Sequence, residues 1–185
     1  ALKRLPHPSS FTGLRGAVEL LLQGRSDHWR ICIVGDYDAD GATATTLMVR
    51  GLELLGFPRP DFLVPDRFEY GYGLSPAIVE LAQQQYRPDL IITVDNGIAS
   101  VDGVAAARAR GIKVLITDHH LPGDTLPDAD ALVNPRLPGC EDFPAANLAG
   151  VGVAFYLLMD LQRALRDQGF TPTQPITDLL DLVAL

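Results

Sequence analysis

The sequence is poor in cysteine and has no long apolar run. Its two cysteines, Cys32 and Cys140, are too few for a disulfide framework or a zinc site made of cysteine ligands. We therefore expect a reducing, cytoplasmic compartment, with Cys32 as a buried thiol because it lies in an apolar segment. No apolar run reaches the roughly 18 residues of a membrane span, so no membrane partner is expected.

Positive charge is also scarce, because 15 Lys and Arg residues stand against 23 Asp and Glu, a net charge of -8. This balance excludes a protein that holds nucleic acid through a basic surface alone. It leaves open a nucleic-acid enzyme in which bound divalent cations supply the missing charge. Neither Gly-x-Gly-x-x-Gly nor Gly-x-x-x-x-Gly-Lys-Ser/Thr follows a predicted strand, which disfavours a plain nucleotide-binding domain.

The chain has enough apolar residues for one sizeable core, since they make up 47% of its 185 residues. Helical and strand patterns alternate along it. Strands are predicted at 30–35, 62–64, 90–94, 112–117 and 131–133, and helices at 13–24, 42–55, 75–86, 100–110 and 151–167. This alternation predicts an α/β, Rossmann-like fold: a parallel sheet of about five strands with helices on both faces. The chain begins without Met and ends in an apolar stretch, so we expect a piece of a longer protein.

Three of the predicted strands end in acidic residues. The motifs are Asp36-Tyr37-Asp38-Ala39-Asp40-Gly41, Asp95-Asn96-Gly97 and Asp118-His119-His120. In an open parallel sheet the carboxyl ends of the strands meet at one edge, so five carboxylates and two imidazoles should share one cleft. Such a cluster repels itself unless cations neutralise it. Oxygen ligands with imidazoles suit Mn²⁺, Mg²⁺ or Zn²⁺, and paired divalent metals perform phosphoryl chemistry, so the motifs together predict a two-metal site.

Each motif taken alone has a simpler interpretation. The spacing of Asp36, Asp38 and Asp40 matches the start of an EF-hand calcium loop, but a strand precedes it and Leu47 stands where that loop needs Glu. A solvated turn is the other alternative for this motif. Asn-Gly favours an ordinary turn, and the adjacent histidines could be a helix cap and a surface residue.

Features outside these motifs are weaker. Arg67, after the second strand, could donate to a phosphate or could simply be solvated in a loop. The backbone N–H groups of Gly150 and Gly152 could hold an anion, although glycine-rich helix starts are common. His7 and His28 are expected on the surface.

The three strand-end motifs resemble the first three motifs of the DHH phosphoesterase superfamily. Further segments resemble the RecJ-type exonucleases, a single-strand-specific bacterial branch of that superfamily. They are Val64-Pro65-Asp66-Arg67-Phe68, Gly71-Tyr72-Gly73-Leu74, Thr117-Asp118-His119-His120-Leu121-Pro122-Gly123 and Leu148-Ala149-Gly150-Val151-Gly152-Val153-Ala154-Phe155. The likeness covers nearly the whole chain, in spacing as well as in motifs.

The resemblance implies a metal-dependent 5′-to-3′ exonuclease that acts on single-stranded DNA in recombination and repair, with Mn²⁺ or Mg²⁺ as cofactor. Single-strand-binding protein and a helicase are candidate partners. His120 would contact the scissile phosphate, Asp118 would orient the imidazoles, and Asp95 would bridge the two metals. The metal ligands implied by the resemblance are Asp36, Asp38, Asp40, Asp95 and His119.

The sequence departs from the family pattern in three ways. A fourth motif with another ligand Asp lies beyond the end of the chain, and Asp178 and Asp181 do not match it, so we interpret residues 1–185 as a catalytic DHH domain that stops short of this motif. The family's second domain and the OB-fold of the RecJ type do not fit in 185 residues, so catalysis by this chain itself is expected to be impaired. Asp66 stands where the family leads us to expect Asn.

Other functions remain open within and outside this interpretation. Another superfamily activity is one alternative: an oligonucleotide or cyclic-dinucleotide phosphodiesterase, or a manganese pyrophosphatase. A binding relative that has lost catalysis is a second, although the intact acidic cluster argues against it.

Overall fold

The computed structural model describes residues 11–140 and 147–183, in which strands and helices alternate as predicted. The strands are β1 (Ile31–Gly35), β2 (Asp61–Leu63), β3 (Leu90–Val94), β4 (Lys113–Thr117) and β5 (Ala131–Val133). The helices are α1 (Leu14–Ser26), α2 (Ala39–Leu54), α3 (Arg67–Tyr70), α4 (Pro76–Tyr86), α5 (Val101–Ala109), α6 (Gly150–Asp167) and α7 (Leu180–Val183), with a 3-10 turn at Ile176–Leu179. The expectation for His7 lies outside the described residues, whereas His28 is exposed as predicted.

The strands form one five-stranded sheet in the order β2-β1-β3-β4-β5, and every neighbouring pair is parallel. This confirms the predicted fold class. The last residue of β1 pairs with the last residue of β3, which in turn pairs with the last residue of β4. Asp36, Asp95 and Asp118 are the next residues along these strands, so the register brings the three acids level at one edge of the sheet.

Helices cover both faces of the sheet because alternate strand residues point to opposite sides. In β1, Ile31 and Ile33 join the larger core, while Cys32 and Val34 join the smaller one. Residues of α1, α2 and α6 complete the larger core, and those of α4 and α5 complete the smaller. Among the residues that the structure describes, no helix is both long and apolar enough to cross a bilayer.

Cys32 is fully buried, as predicted. Burial, reinforced by the negative charge of Asp61, raises the pKa of its thiol to about 12. The thiolate is therefore absent at neutral pH, and Cys32 is an inert core residue.

The predicted start of α2 is wrong by three residues, because the helix begins at Ala39 rather than at 42. Asp38 is its N-cap, and its side chain accepts a hydrogen bond from the backbone N–H of Gly41 at 2.8 Å. The apolar pattern cannot reveal a first turn made of Asp and Gly. Asp40 therefore lies inside the helix and not in the preceding loop.

A short helix, α3, lies in the segment after β2 that was predicted as a loop. Asp66 caps it by accepting a hydrogen bond from the backbone N–H of Phe68 at 2.9 Å. Asp and Asn cap helices about equally well, so an acid at this position has a local structural role. The other predicted element boundaries agree with the structure to within two residues.

Candidate metal centre

The candidate centre lies at the carboxyl edge of the sheet, beside the point where the strand order reverses. β1 and β3 are neighbours in the sheet; the chain continues from β1 to β2 on one side and from β3 to β4 on the other. Parallel sheets bind ligands in the crevice that opens between two such strands. Asp36, only 8% exposed, accepts a hydrogen bond from the backbone N–H of Tyr37 at 2.7 Å. Gly41 permits the tight turn into α2, since a Cβ there would lie 2.3 Å from the carbonyl oxygen of Asp36.

Asp95 follows β3 in a buried and unusual position. Its φ of 62° lies in the left-handed region, which non-glycine residues seldom adopt, and the residue is 2% exposed. Nε2 of His119 lies 3.0 Å from Oδ1 of Asp95. The two are not aligned for a hydrogen bond, and Oδ1 has no hydrogen-bond partner among the described residues. Burial, reinforced by the negative charge of Asp38, raises the pKa of Asp95 to about 7.

Asp118, which follows β4, is just as buried but fully hydrogen-bonded. Its Oδ1 accepts from the backbone N–H groups of His119 at 2.7 Å and His120 at 3.2 Å. The same oxygen lies 2.7 Å from Nδ1 of His120, and Oδ2 accepts from the backbone N–H of Ile98 at 2.9 Å. Asp118 thus joins the segment after β3 to the segment after β4 and orients the ring of His120.

Two overlapping groups of side chains bring their ligand atoms within 4.8 Å of one another. One consists of Asp36, Asp38 and Asp95, and the other of Asp95, Asp118, His119 and His120. Carboxylate oxygens with one or two imidazoles form a donor set that Mn²⁺ and Mg²⁺ accept. Asp95 belongs to both groups and carries the buried oxygen without a hydrogen bond. The donor set therefore fits a pair of divalent cations that share Asp95.

The two histidines of this edge differ in charge state. Burial and the positive charge of His120 lower the pKa of His119, so its ring is neutral at neutral pH, which is the form that ligates metals. Burial alone would also lower the pKa of His120, but its hydrogen bond to Asp118 and the charge of that carboxylate raise it overall. His119 is suited to a metal, whereas His120 is suited to donating a proton.

The other two predicted site residues lie at the margin of the centre. Asp40 is exposed in the first turn of α2 and belongs to neither ligand group of the described residues, so its role as a ligand stays a prediction. A terminal guanidinium nitrogen of Arg67 lies 3.5 Å from Oδ1 of Asp36, and its side chain is 43% exposed. Arg67 therefore stands beside the acids and not in open solvent, within reach of an anion bound there.

Three polar residues that support the site were missed in the sequence. Asn96, which is buried, donates through Nδ2 to one carbonyl in β1 and one in β3, at 3.1 and 2.9 Å. Buried Asn134, directly after β5, donates to the carbonyl of His120 at 2.9 Å. The hydroxyl of Tyr72 lies 3.2 Å from Nδ1 of His120. Asn134 could have been found, because it is a polar residue at a strand end like the acids. Asn96 was interpreted as part of an ordinary turn. Nothing in the sequence around Tyr72 indicates its contact with His120.

Comparison with known proteins is consistent with this geometry. The model of the DHH family, N-terminal domain, matches residues 30–185. The single-stranded-DNA-specific exonuclease RecJ of Haemophilus influenzae is 54% identical over 187 residues, which cover 100% of this chain and 32% of that protein. RecJ of Escherichia coli is 53% identical, over 94% of this chain and 31% of that protein. The chain thus spans about a third of the length of these curated relatives.

Solved structures give the same result. The crystal structure of exonuclease RecJ bound to manganese superposes with a TM-score of 0.78 at 38% identity, over 94% of this chain and 42% of that one. RecJ from Thermus thermophilus in complex with Mn²⁺ gives 0.73 at 34% identity, over 94% of this chain and 23% of that one. Both proteins hold Mn²⁺, a cation that the donor set described above accepts.

Proposed function

The chain belongs to the DHH family, and from this membership we propose that it carries the catalytic core of a metal-dependent exonuclease. The proposed substrate is single-stranded DNA, whose phosphodiester bonds are hydrolysed from the 5′ end to release mononucleotides. The proposed cofactor is Mn²⁺ or Mg²⁺ at a two-metal site. The names of the relatives support the substrate, and the 5′ direction rests on the family resemblance.

One observation carries the proposal: Asp95 is shared by two groups of ligand atoms and has a buried oxygen without a hydrogen bond. A buried polar atom without a partner is unfavourable, so it is expected where a ligand takes the place of the water that folding removed. We infer that Asp36, Asp38, Asp95 and His119 hold the cations, with Asp40 as a further ligand. When bound, a pair of divalent cations supplies a water of lowered pKa and positive charge for phosphoryl oxygens.

The other residues of the edge would then bind and orient the substrate. Nδ1 of His120 shares its proton with Asp118, which leaves Nε2 of the same ring to donate to a phosphoryl oxygen of the scissile bond. Asp118 holds that ring in place and does not itself touch the phosphate. Arg67 can turn its guanidinium from Asp36 to a second phosphate, for which its planar fork is suited.

Exposed apolar side chains near the centre favour a polynucleotide over a small phosphate. Tyr37 adjoins Asp36, Leu121 adjoins His120, and Phe68, 93% exposed, adjoins Arg67. Aromatic side chains of this kind stack on the bases of single strands, whereas pyrophosphate offers no base. This distribution supports single-stranded DNA as substrate against the manganese-pyrophosphatase alternative.

The proposal is tested by nucleotide release from single-stranded DNA in Mn²⁺ by the full-length protein, with Asp95→Ala as the key variant. We expect Asp95→Ala to abolish the Mn²⁺-dependent release seen with the wild type. Asp167→Ala is the matched control, because this exposed acid lies at the far end of α6, about 26 Å along the helix from Gly150. Unchanged activity in Asp95→Ala would overturn the role of the shared carboxylate.

A substrate panel separates the remaining alternatives. Single-stranded DNA should be degraded faster than duplex DNA, cyclic dinucleotides or pyrophosphate, and phosphorothioate linkages at the 5′ end should block it while those at the 3′ end should not. Preference for dinucleotides would favour the oligonucleotide phosphodiesterase alternative. Mn²⁺ binding by the full-length protein without hydrolysis of any of these would favour a binding relative.

We further propose that the activity serves recombination and repair in the cytoplasm, with single-strand-binding protein and a helicase as partners. This setting rests on the family resemblance and on the relatives' specificity for single-stranded DNA. Affinity capture from a lysate should retain both partners with the wild type and equally with Asp167→Ala, a control at an exposed acid far from the centre; capture of neither would count against these partners.

A further inference from the structure

The first turn of α6 lies directly on the carboxylate of Asp95. A Cβ built on Gly150 would stand 2.1 Å from Oδ1, 2.6 Å from Cγ and 2.7 Å from Cβ of Asp95, far inside the contact distance of about 3.5 Å. Gly150 is buried and is the first residue of α6. The sequence left open an anion at the backbone N–H groups of this turn, and the group that lies against Gly150 in the structure is the side chain of Asp95, whose Oδ1 accepts no hydrogen bond from any described residue.

The state of Asp95 is an independent sign that its surroundings hold it in place. The residue combines a φ of 62°, 2% exposure and an Oδ1 without a hydrogen bond among the described residues. Each of these features costs free energy, so they persist only where neighbouring elements restrict the side chain. The positive end of the helix dipole at the start of α6 also favours a negative group at this place.

We propose that Gly150 is a positioning residue for Asp95: only a residue without a side chain lets the start of α6 close on the carboxylate while leaving Oδ1 free for a cation. The part of this inference in which Oδ1 binds a cation rests on the proposed function. The steric part does not, because the contact joins two residues of the chain itself.

The same helix turn provides a matched control. Gly152 is also buried, but a Cβ there would meet the side chain of Leu148, at 2.6 Å from Cδ1 and 2.7 Å from Cγ. Leu148 is partly buried and can change rotamer, whereas Asp95 is 2% exposed and its carboxylate belongs to both groups of ligand atoms. Gly150→Ala and Gly152→Ala therefore make the same chemical change in one turn and differ in which side chain is displaced.

The first test is a double-mutant cycle on melting temperature in EDTA, with Gly150→Ala, Asp95→Gly and the double variant. Asp95→Gly removes Cβ together with the carboxylate, and Gly adopts the positive φ of this position without strain. Gly150→Ala should lower the Tm by about 3–10 °C in the wild type, because Cβ strikes the carboxylate. In the Asp95→Gly background the same substitution should leave the Tm unchanged or raise it, because every atom that the new Cβ would strike is gone and Ala favours a helix over Gly. Equal losses in both backgrounds would overturn the inference. If Gly150→Ala alone fails to fold, folding of the double variant supports the inference, and failure of both variants overturns it.

The second test is calorimetric titration with Mn²⁺ alone. Displacing the shared carboxylate should weaken Mn²⁺ binding by about 10–100-fold in Gly150→Ala, while Gly152→Ala should stay within about twofold of the wild type. Wild-type affinity in Gly150→Ala would overturn the positioning role. Absence of Mn²⁺ binding in the wild type itself would count against the proposed function, and the cycle in EDTA would still decide the steric inference.

Discussion

Asp95 and Asp118 stand level on neighbouring strands, and the protein treats these two carboxylates in opposite ways. They are almost equally buried, at 2% and 1% exposed. The oxygens of Asp118 accept three backbone N–H groups and contact a ring nitrogen. Oδ1 of Asp95 has no hydrogen bond from any described residue, and the residue sits at positive φ.

The difference separates two uses of a buried acid. Hydrogen bonds within the fold offset the desolvation of Asp118, so that acid contributes to stability and to the orientation of His120. The desolvation of Asp95 is not offset in this way, and its raised pKa reports the unfavourable energy of the charged form. A buried acid without such hydrogen bonds, like Asp95, is suited to bind a ligand that the chain does not itself provide.

Substitution of Asp118 should have the largest effect on stability. In Asp118→Ala three backbone N–H groups, two of them only partly buried, lose their acceptor at about 1–2 kcal/mol each, so the free energy of unfolding should fall by about 3–6 kcal/mol. Urea denaturation measures this loss. Asp89→Ala is the control, because that exposed acid accepts a single backbone N–H, from Arg30 at 2.8 Å, and should cost about 1 kcal/mol or less. Similar losses in both variants would mean that the hydrogen bonds of Asp118 stabilise the fold no more than a single exposed one.

Substitution of Asp95 should have the opposite effect on stability. In EDTA at pH 8, Asp95→Asn should be as stable as the wild type or more stable by on the order of 1–2 kcal/mol, since it removes a buried charge without a hydrogen bond. Asp66→Asn is the control and should be nearly neutral, because this exposed acid caps α3 and Asn also caps helices well. A clear loss of stability in Asp95→Asn would mean that the carboxylate is used by the fold after all.

The pH dependence of stability tests the state of Asp95 in the wild type. The folded protein keeps the proton of Asp95 up to about pH 7, whereas an unfolded Asp loses it near pH 4. The folded state thus binds more protons in this window, and the contribution of this group to stability falls as pH rises from about 4 to 7. Mn²⁺ displaces that proton, so the rise in Tm on adding Mn²⁺ should grow up to about pH 7 and then level off. Thermal melts with and without Mn²⁺ measure this rise in Tm at each pH. In Asp95→Asn the rise should no longer grow with pH. A rise that is independent of pH in the wild type would contradict the raised pKa of Asp95.

The sequence predicts the placement of these acids because register in a parallel sheet is a backbone property. Polar residues directly after apolar strands must lie at the carboxyl edge, wherever the exact helix boundaries fall. The boundary of α2 was missed because Asp38 is at once a cap and a member of a ligand group, and only the second use was considered. A residue type therefore indicates a candidate site without excluding a local structural use.

The sequence does not predict which of two buried acids is left without hydrogen bonds. The N–H of Ile98 that bonds Asp118 is 20 residues away along the chain, and Gly150, which lies against Asp95, is 55 residues away. These contacts depend on how α6 and the segment after β3 pack, which no local pattern records. The glycines at 150 and 152 look alike in the sequence, and only the packing separates their roles.

The smallest expected effect comes from Tyr72→Phe, which tests whether Asp118 alone orients His120. The Tyr72 hydroxyl lies 3.2 Å from Nδ1 and 3.4 Å from Nε2 of that ring, while Asp118 lies closer, at 2.7 Å from Nδ1. One Nδ1 proton cannot serve both neighbours well, and the shorter contact to a charged acceptor is the stronger. Burial and the charge of Asp118 raise the pKa of Tyr72, so its hydroxyl stays neutral and adds only a weak contact.

Tyr72→Phe should therefore change the free energy of unfolding by less than about 1 kcal/mol and nucleotide release by no more than a few-fold. Asp118→Asn, which keeps the size of the side chain but weakens its hold on the ring, should reduce release by at least ten times as much as Tyr72→Phe. Melts and single-turnover assays on the two variants decide this. If Tyr72→Phe proved the more damaging of the two, the orientation of His120 would belong to the loop before α4, and the contrast between Asp95 and Asp118 would concern stability alone.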